Sequence, residues 1–373
     1  MSHENAKMVP NHLQRQLLRV AVLDDSTARR EWAEWRAGGG SLDDLDPWSQ
    51  SALPQLYLRL SELAVNDPDM ARLKGTYRHR WCENVAALRA ARPVITILSD
   101  AGIETLVFKG AALMIGYGRG PGARPMGDVD IVVKPSDARR GLDVLVKAGY
   151  RSSDGFEPFG TLRVRRSLNL LAPGKDSMEV DLHWTTLPSA EGSDGVFQRA
   201  RAAELLGVPT LVPSPADLLL SIITHGTNWY PEPVRWVLDS SYLLSHQSTG
   251  IDWELLARRA RQHHYAWQVG TALVALEDDY GAAVPPGVAR SLLSTPGEVL
   301  DGVMWRFQRH MPPHGVRYLF LFNEWWRARR TPYPGGRAGG LLSFAESHVE
   351  ATGPLDLVHK LWPKWPTAEE PGA

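Results

Sequence analysis

Residues 105–133 read TLVFKGAALMIGYGRGPGARPMGDVDIVV, and the fold turns on how this stretch is divided. Leu106, Val107 and Phe108 form a short apolar strand that ends at Lys109-Gly110 and opens into a helix of small residues. A later strand carries Asp128 and Asp130 with one residue between them. Side chains alternate along a strand, so Asp128, Asp130 and Val132 share one face while Val129, Ile131 and Val133 take the apolar other. Two carboxylates at one strand start are costly to hold ionised unless a cation sits between them. The hard cation that suits oxygen ligands and phosphates is Mg²⁺. Gly110 supplies the complementary half, because a strand, a glycine turn and a helix N-terminus present backbone N–H groups and a positive dipole end to a nucleotide's phosphates.

Outward from this stretch, Lys134-Pro135-Ser136 predicts a helix entry with Ser136 as N-cap. Ala138, Leu142, Leu145 and Val146 form its buried stripe and Gly149 stops it. Strands follow at 162–172 and 177–184, joined by a turn that begins with Pro173-Gly174, and they read as an antiparallel hairpin. On the second of them Glu179, Asp181 and His183 lie on one face, with Val180 and Leu182 on the other.

The motifs Lys109-Gly110, Arg124-x-x-x-Asp128-x-Asp130 and Asp181-Leu182-His183-Trp184, in this order, resemble the DNA polymerase β-like nucleotidyltransferase superfamily. The closest likeness is to an uncharacterised nucleotidyltransferase branch and spans about residues 80 to 245. The resemblance implies an α+β polymerase β-like nucleotidyltransferase fold, a small mixed sheet with flanking helices, followed by an all-helical C-terminal domain. It also implies that Asp128, Asp130 and Asp181 are catalytic and bind Mg²⁺ or Mn²⁺, with Glu179 as the alternative third ligand. Two metals about 3.5–4 Å apart would bridge the attacking and leaving oxygens of an in-line displacement. Nucleotide contacts fall to Lys109, Gly110, Ala111 and Arg124, with a weaker case for Arg119. His183, beside Trp184, reads as a hydrogen-bond partner of a carboxylate rather than a ligand. His225, Arg235, Trp236 and Asp239 match a pattern of the family's helical region. Their preferred reading is an inter-helix ion pair and a core tryptophan, with His225, Arg235 and Asp239 on the acceptor side as the alternative. The chain departs from the wider superfamily in having Gly110-Ala111 where Gly-Gly or Gly-Ser is usual, and in a long glycine- and proline-rich segment before Asp128. That segment is expected to be mobile and to order on nucleotide binding.

The 373 residues allow two domains or one elaborated one. With 41 basic and 42 acidic residues, bulk charge gives no sign of nucleic-acid binding. The single cysteine, Cys82, excludes a disulfide framework and a multi-cysteine zinc site and fits a reducing cytoplasm. No stretch approaches the ~20 apolar residues of a membrane span, and the first residues hold no apolar signal core. A soluble cytoplasmic protein is the expectation.

Helical spacing covers 13–36, 51–63 and 73–101, with Pro93 predicting a break or kink in the last. From about Val196 the pattern is helical again, with Ser214-Pro215 opening one helix and others at 234–244, within 251–280 and across the aromatic stretch 299–330. The expected division is an N-terminal helical segment over 1–75, a catalytic domain over 76–190, a helical domain over 191–330 and a Pro/Gly-rich tail over 331–373. The tail is expected to be loosely ordered apart from a segment near Leu355 to Leu361.

The leading functional reading is transfer of a nucleoside monophosphate from an NTP, ATP first, to a small-molecule, peptide or protein acceptor with release of pyrophosphate. Two rivals stand beside it. One is a catalytically silent nucleotide- or partner-binding module on the same fold, and the other is a nucleotidyltransferase acting on RNA ends. The balanced charge sets nucleic acid below a small molecule or peptide as acceptor.

Overall fold

The computed structural model describes residues 10–153, 155, 157–162, 165–174, 179–187, 193–227, 233–247, 250–295, 322, 325, 334, 340–348, 351 and 353–361. The expected turn after Gly174 and nearly all of the aromatic stretch 299–330 lie outside the described residues. Only Phe322 and Trp325 are described there, both helical.

Helices α1 (His12–Val22) and α2 (Asp25–Ala37) begin where their sequences supply caps: Asn11 with Gln14 in a reciprocal box, and Asp24 accepting from Ser26 and Thr27. Trp32 and Trp35 flank the Arg36 guanidinium, which binds Asp67 at 2.6 Å and Asp69 at 2.5 Å. This cluster ties the end of α2 to the entrance of the long helix. Short α3 (Pro47–Gln50) and α4 (Leu53–Glu62) follow. Helix α5 (Met70–Asp100) then runs on through Pro93, so of the expected break or kink the break does not occur. Pro93 and Arg89 both face solvent, so water can satisfy the Arg89 carbonyl that proline leaves without a donor. The buried stripe of Ala87, Leu88, Ala91, Val94, Ile95 and Leu98 carries the helix across the gap.

The sheet is built from β1 (Thr105–Val107), β2 (Val129–Val133), β3 (Arg151–Ser152), β4 (Ser167–Leu171), β5 (Glu179–His183), β6 (Arg201–Leu205) and β7 (Val208–Val212), in the order β3-β4-β5-β2-β1-β7-β6. Pairs β2/β5 and β1/β7 are parallel and the rest antiparallel, which makes the sheet mixed. Every residue of β1 and β2 is buried, as strands covered on both faces require. Helix α6 (Lys109–Tyr117) leaves β1. Helix α7 (Ala138–Lys147) leaves β2, entered from Asp137 without a side-chain cap rather than from Ser136. Short α8 (Pro158–Thr161) ends just before the expected 162–172 strand, and β4 begins only at Ser167.

After α9 (Ser193–Arg199), the β6–β7 hairpin replaces a stretch that the periodicity reads as helical. Its two-residue turn is Leu206-Gly207, with φ of +50° and +79°, the conformation a tight hairpin demands. The sheet therefore extends to Val212, and β7 lies beside β1 at its centre.

Helices α10 (Pro215–Gly226), α11 (Arg235–Gln247), α12 (Trp253–Gln262), α13 (Ala266–Tyr280) and α14 (Val288–Leu293) form the following layer. Two further helices, α15 (Leu341–His348) and α16 (Pro354–Leu361), stand in the tail. Helix α15 was not expected, while α16 coincides with the apolar segment near Leu355. Ser214 caps α10 by accepting from the Asp217 amide. The buried Asp217 carboxylate binds Arg199 at 3.0 Å and Arg259 at 3.1 Å, joining α9, α10 and α12. Helix α1 packs on α11 and α13, so the start of the chain lies on the C-terminal helices. One apolar cluster runs from Leu17 through the sheet to Phe344, and a second gathers Leu106, Phe108, Val132, Val196 and Phe197.

Because Pro93 breaks no tertiary contact and costs a helical hydrogen bond, Pro93→Ala should stabilise the protein by about 1–3 kcal/mol. Urea denaturation measures it, and a lower midpoint for the variant would contradict this account of α5.

Candidate active site

Three elements converge at the middle strands of the sheet. Parallel pairing of β2 and β5 sets Asp130 beside Asp181 and Val132 beside His183, so the two aspartates become neighbours on one face. Asp130, Asp181 and His183 each offer an atom to a common position, all within 4.8 Å of one another. His183 Nε2 lies between the carboxylates, 2.8 Å from Asp130 Oδ1 and 2.7 Å from Asp181 Oδ2. Lys109, the first residue after β1 and its N-cap Phe108, adds its ammonium to Asp130 Oδ1 at 2.5 Å. Phe108 packs edge-on to the His183 ring.

Charge governs this cluster. Burial works to raise the Asp130 carboxyl, but the Lys109 and His183 charges outweigh it and hold it well below the usual carboxylate range. Asp181 is likewise lowered, since His183 overcomes the burial. For His183 burial works downward, yet the Asp181 charge and hydrogen bonds to both aspartates push it up to about 9. Lys109 is raised in the same way, burial being outweighed by Asp130 and Asp181.

Asp128 stands one residue before β2, half-buried. It is outside the close trio but feels its charge, being raised first by burial and then by Asp130. Glu179 is exposed at the far end of β5 opposite Leu171, so of the two candidate third carboxylates it is Asp181 that meets Asp130. His183 hydrogen-bonds both carboxylates, as a partner of the carboxylates does, and it also stands in the trio that could hold a metal ion.

The glycine turn has an unusual backbone. Lys109 adopts φ of +48°, a left-handed conformation that costs a non-glycine residue of order 1–3 kcal/mol and concentrates at functional sites. Phe108 supplies no side-chain cap to α6, so the first amides, at Lys109, Gly110 and Ala111, remain available to an anion. A Cβ on Gly110 would fall 2.0 Å from Arg124 Nη1, so glycine is required by the guanidinium lying against it.

That guanidinium is engaged. Arg124 Nε binds Asp239 of α11 at 2.8 Å, and Arg119 binds the same carboxylate, all three side chains being buried. Arg124 thus lies against the turn but anchors to Asp239. Asp239 is in a buried ion cluster, and its partners come from the glycine-rich segment rather than from another helix as the inter-helix ion-pair reading expected. Burial works to raise Asp239, and Arg124 and Arg119, with Arg235 at the start of α11, hold it low. His225, in the last turn of α10, is exposed, and the nearby Lys109 charge holds it neutral, well below its ordinary value.

The glycine-rich segment expected to be mobile is pinned at several points. Asn84, fully buried on α5, donates from Nδ2 to the Pro121 carbonyl at 2.5 Å and the Arg124 carbonyl at 2.6 Å. The Tyr77 ring packs where a Cβ on Gly122 would sit, and Arg119 and Arg124 fasten the segment to α11. Asn84 was missed in the sequence. The signal was an amide in an otherwise apolar buried stripe, which needs partners once buried.

The residues fit a divalent cation. Asp181 is 9% exposed, and its Oδ1 atom is buried with no hydrogen-bond partner among the described residues. An orphaned carboxylate oxygen beside a second carboxylate is the environment a hard cation satisfies.

Asp239→Asn removes the counter-charge of two buried guanidinium groups, so the variant should lose about 3–5 kcal/mol of stability in urea. The wild type carries the matching pH signature. Asp239 has a folded pKa below its unfolded value, so its contribution is complete above about pH 4 and falls away as acid protonates it. The variant's stability should change less over that acid range, and a parallel pH profile for the two proteins would count against the cluster.

No curated protein matches the chain. A family model described as an uncharacterised nucleotidyltransferase matches residues 49–278, from α3 to α13, and so takes in the whole sheet and its carboxylates. With well over half of its 373 residues matched, and with the mixed α+β fold and paired aspartates described above, the chain belongs to this nucleotidyltransferase family and is a transferase of nucleotidyl groups.

Proposed function

We propose that the protein transfers a nucleoside monophosphate from an NTP, ATP first, to a hydroxyl-bearing small molecule, peptide or protein, with Mg²⁺ or Mn²⁺ held by Asp130 and Asp181 and assisted by Asp128. One observation carries this reading: a buried pair of aspartates, one with an unsatisfied oxygen, beside the uncapped start of α6. When bound, the cation supplies charge neutralisation at the phosphates and lowers the pKa of the attacking hydroxyl. The carboxylate oxygens suit Mg²⁺ and accept Mn²⁺ as well.

The chain's own groups have separate tasks. The amides of Gly110 and Ala111 face the triphosphate, and the Lys109 ammonium stands where phosphate charge arrives. Arg124 works by bracing the turn from behind. The acceptor oxygen attacks the α-phosphorus, the bond to the bridging oxygen breaks, and pyrophosphate leaves with that electron pair. The acceptor hydroxyl gives its proton to the Asp181 carboxylate as its oxygen bonds to phosphorus, with Asp130 beside it. His225, neutral and accessible, stands on the acceptor side. In this scheme residues 76–190 hold the chemistry, 191–330 contribute the acceptor side, and the protein works in the cytoplasm.

Incubating wild type and Asp130→Asn with radiolabelled NTP, Mg²⁺ and cell extract tests the reading. Label transfer should fall by orders of magnitude in the variant while its melting curve stays cooperative. His183→Ala should cost about 10–100-fold. An active Asp130 variant beside a dead His183 variant would sink the assignment. Nucleotide-dependent stabilisation without any transfer would favour the silent module instead. In that binding measurement Lys109→Ala should lose more of the NTP-induced melting shift than Glu179→Ala.

A further inference from the structure

The sheet brings one more polar side chain to the carboxylate face. Antiparallel pairing of β4 and β5 sets Asn169 opposite Asp181, and parallel pairing of β5 and β2 sets Asp181 beside Asp130. Asn169, Asp181 and Asp130 therefore form one row across three strands with their side chains on the same face. The burial of β4 agrees: Ser167, Asn169 and Leu171 are half-buried on this face, while Leu168 and Leu170 are fully buried on the other.

Within the row, Asn169 Oδ1 and Asp181 Oδ1 are both buried, and neither finds a hydrogen-bond partner among the described residues. The second Asp181 oxygen is taken by His183 Nε2. Two acceptor oxygens on neighbouring strands cannot satisfy one another, and native proteins leave few such groups unmatched. What the pair lacks is a donor or a cation common to both. An amide carbonyl is an ordinary oxygen ligand for hard divalent ions, and it enlarges a donor set without adding charge to a cluster that already contains three aspartates.

We propose that Asn169 Oδ1 is a ligand of a divalent cation that it shares with Asp181. This rests on the divalent-cation reading of the site and adds to it a neutral oxygen from the strand beyond the aspartates. In the opposite amide orientation Asn169 Nδ2 would instead donate to Asp181 Oδ1, and Asn169 would be a positioning residue. The two roles separate in the protein without metal. A donor to Asp181 stabilises the metal-free fold, whereas an unmatched buried acceptor weakens it.

The test uses the full chain in a Cys82→Ser background, which removes its only native thiol. Asn169→Cys titrated with Cd²⁺ should develop the ultraviolet charge-transfer band of a cadmium–thiolate bond. The band should be competed away by Mn²⁺ and lost when Asp181→Asn is added. In parallel, Asn169→Leu should melt at or above the wild-type temperature without metal, yet bind Mn²⁺ about tenfold more weakly or worse. Asn169→Asp, which keeps an oxygen in place, should retain the Mn²⁺ shift. If wild type itself gains no stability from Mn²⁺ or Mg²⁺, the cation reading fails and this proposal fails with it. If wild type gains stability that Asp181→Asn abolishes, while Asn169→Leu binds normally or melts lower without metal and no cadmium band forms, Asn169 alone is overturned.

Discussion

The register between β2 and β5 puts two carboxylates side by side in a desolvated place, and much of the surrounding structure answers that repulsion. Neither Asp130 nor Asp181 could remain ionised there on burial alone. Lys109 and His183 supply the counter-charge, one from the first residue of α6 and the other from two positions beyond Asp181 on β5. Both are drawn into unusual states by the task. Lys109 accepts a left-handed backbone, and His183 is held protonated beyond neutrality. A site that concentrates strain and shifted protonation equilibria in a few residues is the pattern expected of chemistry rather than of packing.

A second buried charge cluster holds the first in place from behind. Arg119 and Arg124 leave the glycine-rich segment to meet Asp239 on α11, and Arg124 lies against Gly110 on the way. The turn at Lys109-Gly110 is thus braced by a helix from a distant part of the chain. A segment rich in glycine and proline is held by donors from Asn84 and by the Tyr77 ring as well. Its glycines serve close approach at Gly110 and Gly122 rather than mobility, and a guanidinium or ring occupies the volume their side chains would have taken.

Much was legible in the sequence because the relevant signals are local. Apolar spacing marked α1, α2, α4 and α5, Ser214 marked the start of α10, and the alternation around Asp130 and Asp181 separated their polar face from the apolar one. Local signals also misled. Pro93 predicted a break or kink, and no break occurs, because a proline on the solvent face of a long amphipathic helix leaves the packed stripe intact. The β6–β7 hairpin escaped notice because Ala202, Ala203, Leu205 and Leu206 favour a helix as readily as a strand. Only pairing with β1 makes the hairpin part of the sheet.

The sequence by itself determined the family's motifs, the faces on which Asp130, Asp181 and His183 lie, and the glycine at the end of β1, since strand alternation and turn chemistry depend on neighbours in the chain. The tertiary structure decided which of those faces meet. It brought Asp181 rather than Glu179 to Asp130, turned Arg124 toward Asp239, put His183 between the aspartates and set Asn169 in their row. The reason is physical: pairing register and burial join residues far apart in sequence, and a charge's partner is chosen only when water has been removed from around it.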